Sequence, residues 1–122
     1  GSGVAGVGGE RAKMRAGHCQ LIPKGQEHFF FNDGDTDAVF VGFYMGATDE
    51  AGIGLEQGAP VDPDELQSAK DGISTGIFVH LDDVAPENMD KGDGWHITDF
   101  RLPLSARNGC GSTLFRARFF PG

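Results

Sequence analysis

The segment 17–32 constrains the fold of this chain more than any other part of the sequence. It reads GHCQLIPKGQEHFFFN, which is Gly-x5-Pro-x-Gly-x2-His-x3-Asn. Its first glycine permits a tight turn with positive φ, and its Pro-x-Gly sequence favours a reverse turn. We therefore expect a short strand over 18–22, a turn, and a second strand over 28–31. A rigid turn just before His28 would fix the backbone at that position, which suits a side chain that binds a ligand.

The same segment resembles the second sequence motif of the cupins, a superfamily of β-barrel proteins. The matching residues are Gly17, Pro23, Gly25, His28 and Asn32. The resemblance implies that His28 points into a barrel, that the protein binds a small molecule, and that it forms a homodimer. It also implies a divalent metal such as manganese, iron, nickel or zinc. The family includes dioxygenases, isomerases, decarboxylases and sugar-binding proteins, so the fold does not determine the function.

The first cupin motif, His-x-His-x3,4-Glu, does not occur in this sequence. The histidines are His18, His28, His80 and His96, and no two of them have the required spacing. A transition metal usually needs about three or four protein ligands. We therefore expect no bound metal for the sequence as it stands. His28 would bind a divalent transition metal only if residues beyond this sequence or a partner chain supplied the other ligands.

The order of the segments resembles that of a circularly permuted cupin. Residues 1–45 resemble the second half of the family fold, 75–122 resemble the first half, and 46–74 form a connector. Three explanations stay open: a natural or engineered permutant, a piece that spans two tandem cupin repeats, or a longer polypeptide from which a segment is omitted or reordered. In each case we expect 1–122 to form a single domain, with both chain ends near the open end of the barrel.

The turn residues and the alternation of apolar residues predict an all-β fold of the jelly-roll barrel type with one short helix. The 20 glycines support many turns. The predicted strands cover 4–7, 10–14, 19–22, 27–31, 38–44, 76–82, 95–102 and 112–120. The helix is predicted over 62–70, with Asp62 as its N-cap and Glu65 completing a capping box. Both faces of 38–44 are apolar, which predicts a covered central strand or an interface.

Charge and composition exclude several classes of function. The net charge of −8 argues against general nucleic-acid binding, which depends on lysine and arginine. No apolar run is long enough to span a membrane, so a cytoplasmic location is the default expectation. Cys19 and Cys110 are too few for a disulfide framework, and we expect them to be buried free thiols.

Arg116 and Arg118 lie two residues apart and share one face of the last predicted strand. They are interpreted either as solvent-facing charges or as contacts for an anion or a carboxylate. The candidate ligand-binding residues are His28, Phe30, Arg116 and Arg118. No catalytic residue is predicted.

Three functions are compatible with this sequence. The first is a small-molecule binding protein with a cupin fold and a degenerate or absent metal site. The second is a metal-dependent cupin enzyme, of the dioxygenase or isomerase type, whose remaining ligands come from missing residues or from a partner chain. The third is a structural piece that completes another chain by strand exchange. Whether the chain is an enzyme stays open at this point.

Overall fold

The computed structural model describes residues 1–69, 75–89 and 99–121. Within these ranges it contains the strands β1 (Ser2–Val7), β2 (Glu10–Arg15), β3 (His18–Gln20), β4 (His28–Phe31), β5 (Phe78–His80), β6 (Asp99–Leu104) and β7 (Leu114–Arg118). Two short helices, α1 (Glu50–Ile53) and α2 (Pro63–Gln67), accompany them. All strand pairs are antiparallel, which confirms the all-β class. The described residues form no closed barrel, so the jelly-roll topology stays a prediction.

The described elements fall into two compact units. The first unit contains a three-stranded sheet in the order β2-β1-β4, together with α1 and α2. The second contains two strand pairs, β3 with β5 and β6 with β7. The interpretation of the chain as one cupin-like domain stays a prediction. So does the expectation about the two chain ends, because Gly122 lies outside the described residues.

The sheet of the first unit is built on a hairpin between β1 and β2, as the sequence predicts. Val7 lies opposite Glu10 across this hairpin and opposite His28 across the pair of β1 with β4. Residues directly opposite each other in an antiparallel sheet point to the same side. We call one side of this sheet the core face, because it carries four buried side chains: Ala5, Val7, Ala12 and Met14.

The core of the second unit forms around β5 and β6. Its buried members are Val79, Leu104 and Cys110, with Cys19, Leu21 and Val84 packed against them. Both cysteines are free thiols, as predicted, although Cys19 is only half-buried. Burial raises the pKa of the Cys19 thiol, which keeps it protonated and weakly nucleophilic at neutral pH.

The turns of the segment 17–32 have the predicted geometry. Gly17 and Gly25 adopt φ values of 95° and 80°, a region that favours glycine. The backbone N–H of Gln26 donates a hydrogen bond to the carbonyl oxygen of Pro23 at 3.1 Å, which closes the reverse turn. Asn32 then closes the following loop, since its side-chain amide both donates to and accepts from the backbone there.

The predicted helix is shorter in the structure and lacks its capping box. It ends at Gln67, and residue 70 lies outside the described ranges. Asp62 is the N-cap, as predicted, and accepts a hydrogen bond from the Asp64 N–H at 3.0 Å. The Glu65 carboxylate, however, does not bond back to the N-cap backbone. It accepts hydrogen bonds from the Arg11 guanidinium on β2 instead, because an ion pair is available there.

The strand predicted over 76–82 is shortened to Phe78–His80, because a 3-10 helix, Leu81–Asp83, follows it directly. Two other predicted strands differ more from the structure. Residues 38–44 are not in a strand, because no described residue forms a ladder of backbone hydrogen bonds with them. The prediction over 95–102 begins outside the described ranges, and β6 continues through Pro103 instead of stopping before it. A proline lacks the N–H that a ladder requires. It is tolerated here because the register shifts between Arg101 and Leu104, which leaves Pro103 within an irregularity of the ladder.

Candidate functional site

His28 lies at the beginning of β4 on the core face of the first sheet. Its partner across the strands is Val7, and the next residue on the same face, Phe30, is opposite Ala5. Both partners are buried, so the strand directs His28 and Phe30 to the apolar side of the sheet. His28 itself is exposed, because it stands at the end of the strand. The placement of His28 inside a barrel stays a prediction, because the described residues do not enclose the imidazole.

A backbone contact sets the tautomer of His28. Its Nδ1 lies 3.1 Å from the carbonyl oxygen of Gln26. A carbonyl oxygen can only accept, so Nδ1 must donate, and Nε2 carries the lone pair in the neutral ring. Metal-binding histidines commonly have this arrangement, in which one ring N–H is held by a carbonyl and the other nitrogen is available. The Pro-x-Gly turn thus orients His28 as a potential ligand.

An aromatic pair adjoins His28 on the core face. The ring of Phe40 meets that of Phe30 edge to face, with centroids 4.3 Å apart. Phe30 is half-buried, whereas Phe40 is exposed. His28, Phe30 and Phe40 thus combine one orientable polar group with apolar ring surface, which is the usual composition of a small-molecule site.

The structure brings together two further histidines that the sequence patterns did not connect. His18 on β3 lies opposite His80 on β5, and their rings meet edge to face at 4.6 Å. His80 is buried, and its Nδ1 accepts a hydrogen bond from the Asp82 N–H at 3.1 Å. Its neutral ring therefore carries the proton on Nε2, which makes His80 a donor rather than a metal ligand. The two residues are far apart in sequence, and no spacing rule could have linked them.

The predicted Arg116 and Arg118 lie in the second unit, on one face of the β6–β7 hairpin. Arg101 is opposite Arg116, and Asp99 is opposite Arg118, so all four share this face. We call it the arginine face. Asp99 accepts from Arg101 Nε at 2.6 Å through one oxygen and from Arg116 Nη2 at 2.5 Å through the other. Asp99 is not among the residues predicted from the sequence, although its alternation with Arg101 along one strand places the two side chains on one face.

The arginine face controls the ionisation of Asp99. The hydrogen bond from Arg101, with the positive charges of Arg101 and Arg116, lowers the pKa of this carboxyl, while partial burial opposes the shift. A carboxyl whose pKa is lower in the folded state stabilises the fold above the unfolded-state pKa. That stabilisation is lost as the pH falls through the folded-state pKa of Asp99.

We expect Asp99→Asn to weaken the dependence of stability on acid pH. The wild-type protein should become less stable as the pH falls below the ordinary aspartate pKa of about 4. The variant should already be less stable at neutral pH and should change less on acidification. Urea unfolding between acid and neutral pH measures both effects, and Asp83→Asn controls for the loss of one negative charge. If the stability of the wild-type protein and of Asp99→Asn depended equally on pH, the lowered pKa of Asp99 would be contradicted.

The residues available for a metal do not form a complete site in the described part of the chain. No group of three or more histidine, cysteine, aspartate or glutamate side chains that could hold a metal occurs within 1–69, 75–89 and 99–121. His96 lies outside these ranges. His28 alone cannot supply the ligand number that a transition metal requires, so the described residues do not fit the metal that the cupin resemblance implies.

Comparison of the chain with protein-family models, with curated proteins and with solved structures yields no match. Among the described residues, no helix has the length and apolar character needed to cross a membrane. The established class is thus an antiparallel β-rich protein. Its arginine face lies in the second unit, and its oriented histidine lies in the first.

Proposed function

We propose that this chain is a small-molecule binding protein of the cupin type, with its halves in permuted order and a degenerate metal site. The observation that carries the proposal is the placement of His28 and Phe30 on the core face, beside buried side chains and next to Phe40. The positive φ angles of Gly17 and Gly25 add support, since the cupin motif requires turns at these positions.

The proposal is tested by nuclear magnetic resonance titration of the whole chain with glucose and with sodium benzoate. We expect one of these probes to shift the signals of His28 and Phe30 in a saturable manner. Phe30→Ala should weaken this binding about tenfold or more, because ring contact supplies much of the affinity of such sites. Phe31→Ala is the matched control, since Phe31 is the next residue of β4 and points to the opposite face. If Phe30→Ala and Phe31→Ala lose the same affinity, or if neither probe produces a saturable shift, the proposed site on the core face is contradicted.

The orientation of His28 favours a second candidate, a metal-dependent cupin enzyme. In that case His28 Nε2 would bind a divalent metal, and missing residues or a partner chain would supply the remaining ligands. A bound metal would provide a Lewis acid for a dioxygenase or isomerase type of reaction. The role of His28 would be to bind through Nε2 while its Nδ1 is held by the carbonyl oxygen of Gln26.

Metal content separates the two candidates. We expect untagged purified protein to contain less than stoichiometric transition metal, because a site short of its ligands loses affinity steeply. Elemental analysis of the wild-type protein and of His28→Ala measures this directly. One metal per chain that disappears in His28→Ala would overturn the binding-protein proposal and support the enzyme.

We also propose a homodimer in which a second copy covers the segment 38–45. This segment contains no charged residue, and its apolar side chains are exposed, Val39 at 88% and Phe43 at 75%. It follows β4, whose outer edge has no neighbouring strand among the described residues. The rest of the chain is strongly acidic, so two copies would attract each other best through this uncharged run.

Light scattering tests the dimer. The wild-type protein should have twice the chain mass of 12.9 kDa, whereas Phe43→Lys should be largely monomeric. Leu55→Lys is the matched control, because Leu55 is similarly exposed at 63% but lies outside the run. A wild-type monomer at high micromolar concentration would contradict this part of the proposal.

A further inference from the structure

The arginine face carries more positive charge than its own carboxylate neutralises. Arg101, Arg116 and Arg118 place three guanidinium groups beside the single carboxylate of Asp99, which leaves a net charge of +2 on this face. The chain as a whole has a net charge of −8. A local excess of positive charge on an acidic protein is an attractive position for an anion.

The guanidinium groups at the centre of this face are held in place. Arg101 donates from Nε to Asp99 and from Nη1 to the carbonyl oxygens of Leu81 and Val84, at 2.9 and 3.0 Å. The Asp99 side chain is 14% exposed and the Arg101 side chain 21%, so both are sheltered from water. Folding has therefore already ordered these side chains. Binding of a ligand would not lose further conformational entropy in ordering them.

One buried donor on this face has no acceptor among the described residues. Arg116 Nε is buried, and it makes no hydrogen bond to any described residue. Asp99 accepts from Arg101 Nε through one carboxylate oxygen and from Arg116 Nη2 through the other. The hydrogen bonds of Arg101 involve its Nε and Nη1. A buried donor without an acceptor is destabilising, so a further acceptor beside Arg116 Nε would be stabilising.

The chemistry of the guanidinium groups on this face indicates which kind of acceptor would bind to them. A guanidinium presents parallel N–H groups that match the two oxygens of a carboxylate, and such pairs are among the strongest hydrogen-bonded contacts in proteins. Arg118 stacks on the ring of Phe120, with its guanidinium carbon 5.0 Å from the ring centroid, which adds an apolar surface beside the charges. A small organic acid with a planar apolar group would contact both features.

We infer that the arginine face binds the carboxylate of a small organic acid, through the unsatisfied Nε of Arg116 and the adjacent guanidinium of Arg101, with Arg118 beside them. The inference rests on the proposed function, since it assigns a ligand class to the same binding protein. Binding requires a small shift of the Arg116 side chain, which turns the covered Nε towards the ligand. No proton or electron is transferred.

The test is a titration of the isotope-labelled whole chain with sodium benzoate at constant ionic strength. The Nε–Hε signals of Arg101 and Arg116 should shift saturably, and benzyl alcohol, which lacks the charge, should leave them unchanged. Arg116→Gln should raise the Kd for benzoate about tenfold or more. Arg116→Lys retains the charge without the planar fork and should also weaken binding, which covers the case in which the glutamine variant does not fold.

Arg107→Gln is the matched control. It removes the same charge from the second unit, but Arg107 pairs with Glu87 and is not part of the arginine face. If Arg107→Gln and Arg116→Gln weaken benzoate binding equally, the effect comes from the net charge of the protein. That result would overturn the proposed site. Shifts with inorganic phosphate but not with benzoate would overturn the carboxylate assignment.

The same titration separates this inference from the proposed function. If a probe shifts His28 and Phe30 while the arginine signals stay unchanged, the inference fails and the binding protein stands. If benzoate shifts only the arginine signals and no probe reaches the core face, the carboxylate site stands and the cupin-type site fails. No saturable shift anywhere would overturn both.

Discussion

Replacing Phe78 with alanine is expected to lower the free energy of unfolding by about 3–5 kcal/mol. Phe78 lies on β5 with 0% of its surface exposed, and it is among the largest fully buried side chains of the described chain. Removing its ring leaves a cavity whose walls lose their contacts, in addition to the lost transfer of apolar surface from water. Small domains have a total stability of about 5–15 kcal/mol, so this variant should be at the limit of folding.

Urea unfolding followed by circular dichroism measures this change. Phe119→Ala is the control, because it deletes the same atoms from a side chain that is 69% exposed. Its effect should stay within about 0.5 kcal/mol, as is usual for surface substitutions. Similar losses of stability in both variants would show that the ring of Phe78 is not buried.

Gly17→Ala is expected to destabilise the protein by about 2–4 kcal/mol, from two physical causes. The first is the backbone, since φ at Gly17 is 95° and a side chain is strained there. The second is a close approach, because a Cβ at Gly17 would lie 2.8 Å from His80 Nε2. His80 is buried and bonded through Nδ1 to the Asp82 N–H, so its ring cannot easily move away.

Gly25→Ala separates these two causes. Gly25 belongs to the same sequence motif and has a similar φ of 80°, but no atom lies within 4 Å of a Cβ built there. Its substitution should cost only the backbone strain, about 1 kcal/mol. Urea unfolding of both variants gives the difference, which measures how closely His80 packs on the Gly17 backbone. If Gly25→Ala lowers the free energy of unfolding as much as Gly17→Ala does, the close approach of His80 makes no contribution.

The turns of the segment 17–32 were predictable from sequence because their causes are local. Glycine tolerates positive φ and proline restricts φ wherever they occur, so the reverse turn at Pro23 needs no distant partner. The β1–β2 hairpin was predictable for the same reason. The face of β4 that carries His28 also follows from the alternation of side chains along a strand.

The segment 38–44 shows where sequence patterns stop being sufficient. Its residues have strand propensity and two apolar faces, and both properties led to the prediction of a covered strand. A strand, however, exists only when another strand supplies hydrogen-bond partners, and no described residue does so. In the proposed homodimer, a second copy would cover this segment.

Some features of the candidate site were likewise predictable from the sequence, whereas others depended on the tertiary structure. The cupin resemblance identified His28 as a candidate, and the spacing of Arg116 and Arg118 was enough to place these two arginines on one face. The ring orientation of His28 follows from a contact with its own turn. In contrast, the ion pairs of Asp99 were visible only after folding, as was the packing of His80 against Gly17. Conformational preferences act within a few residues of the chain, whereas charge pairing and burial depend on which distant strands become neighbours.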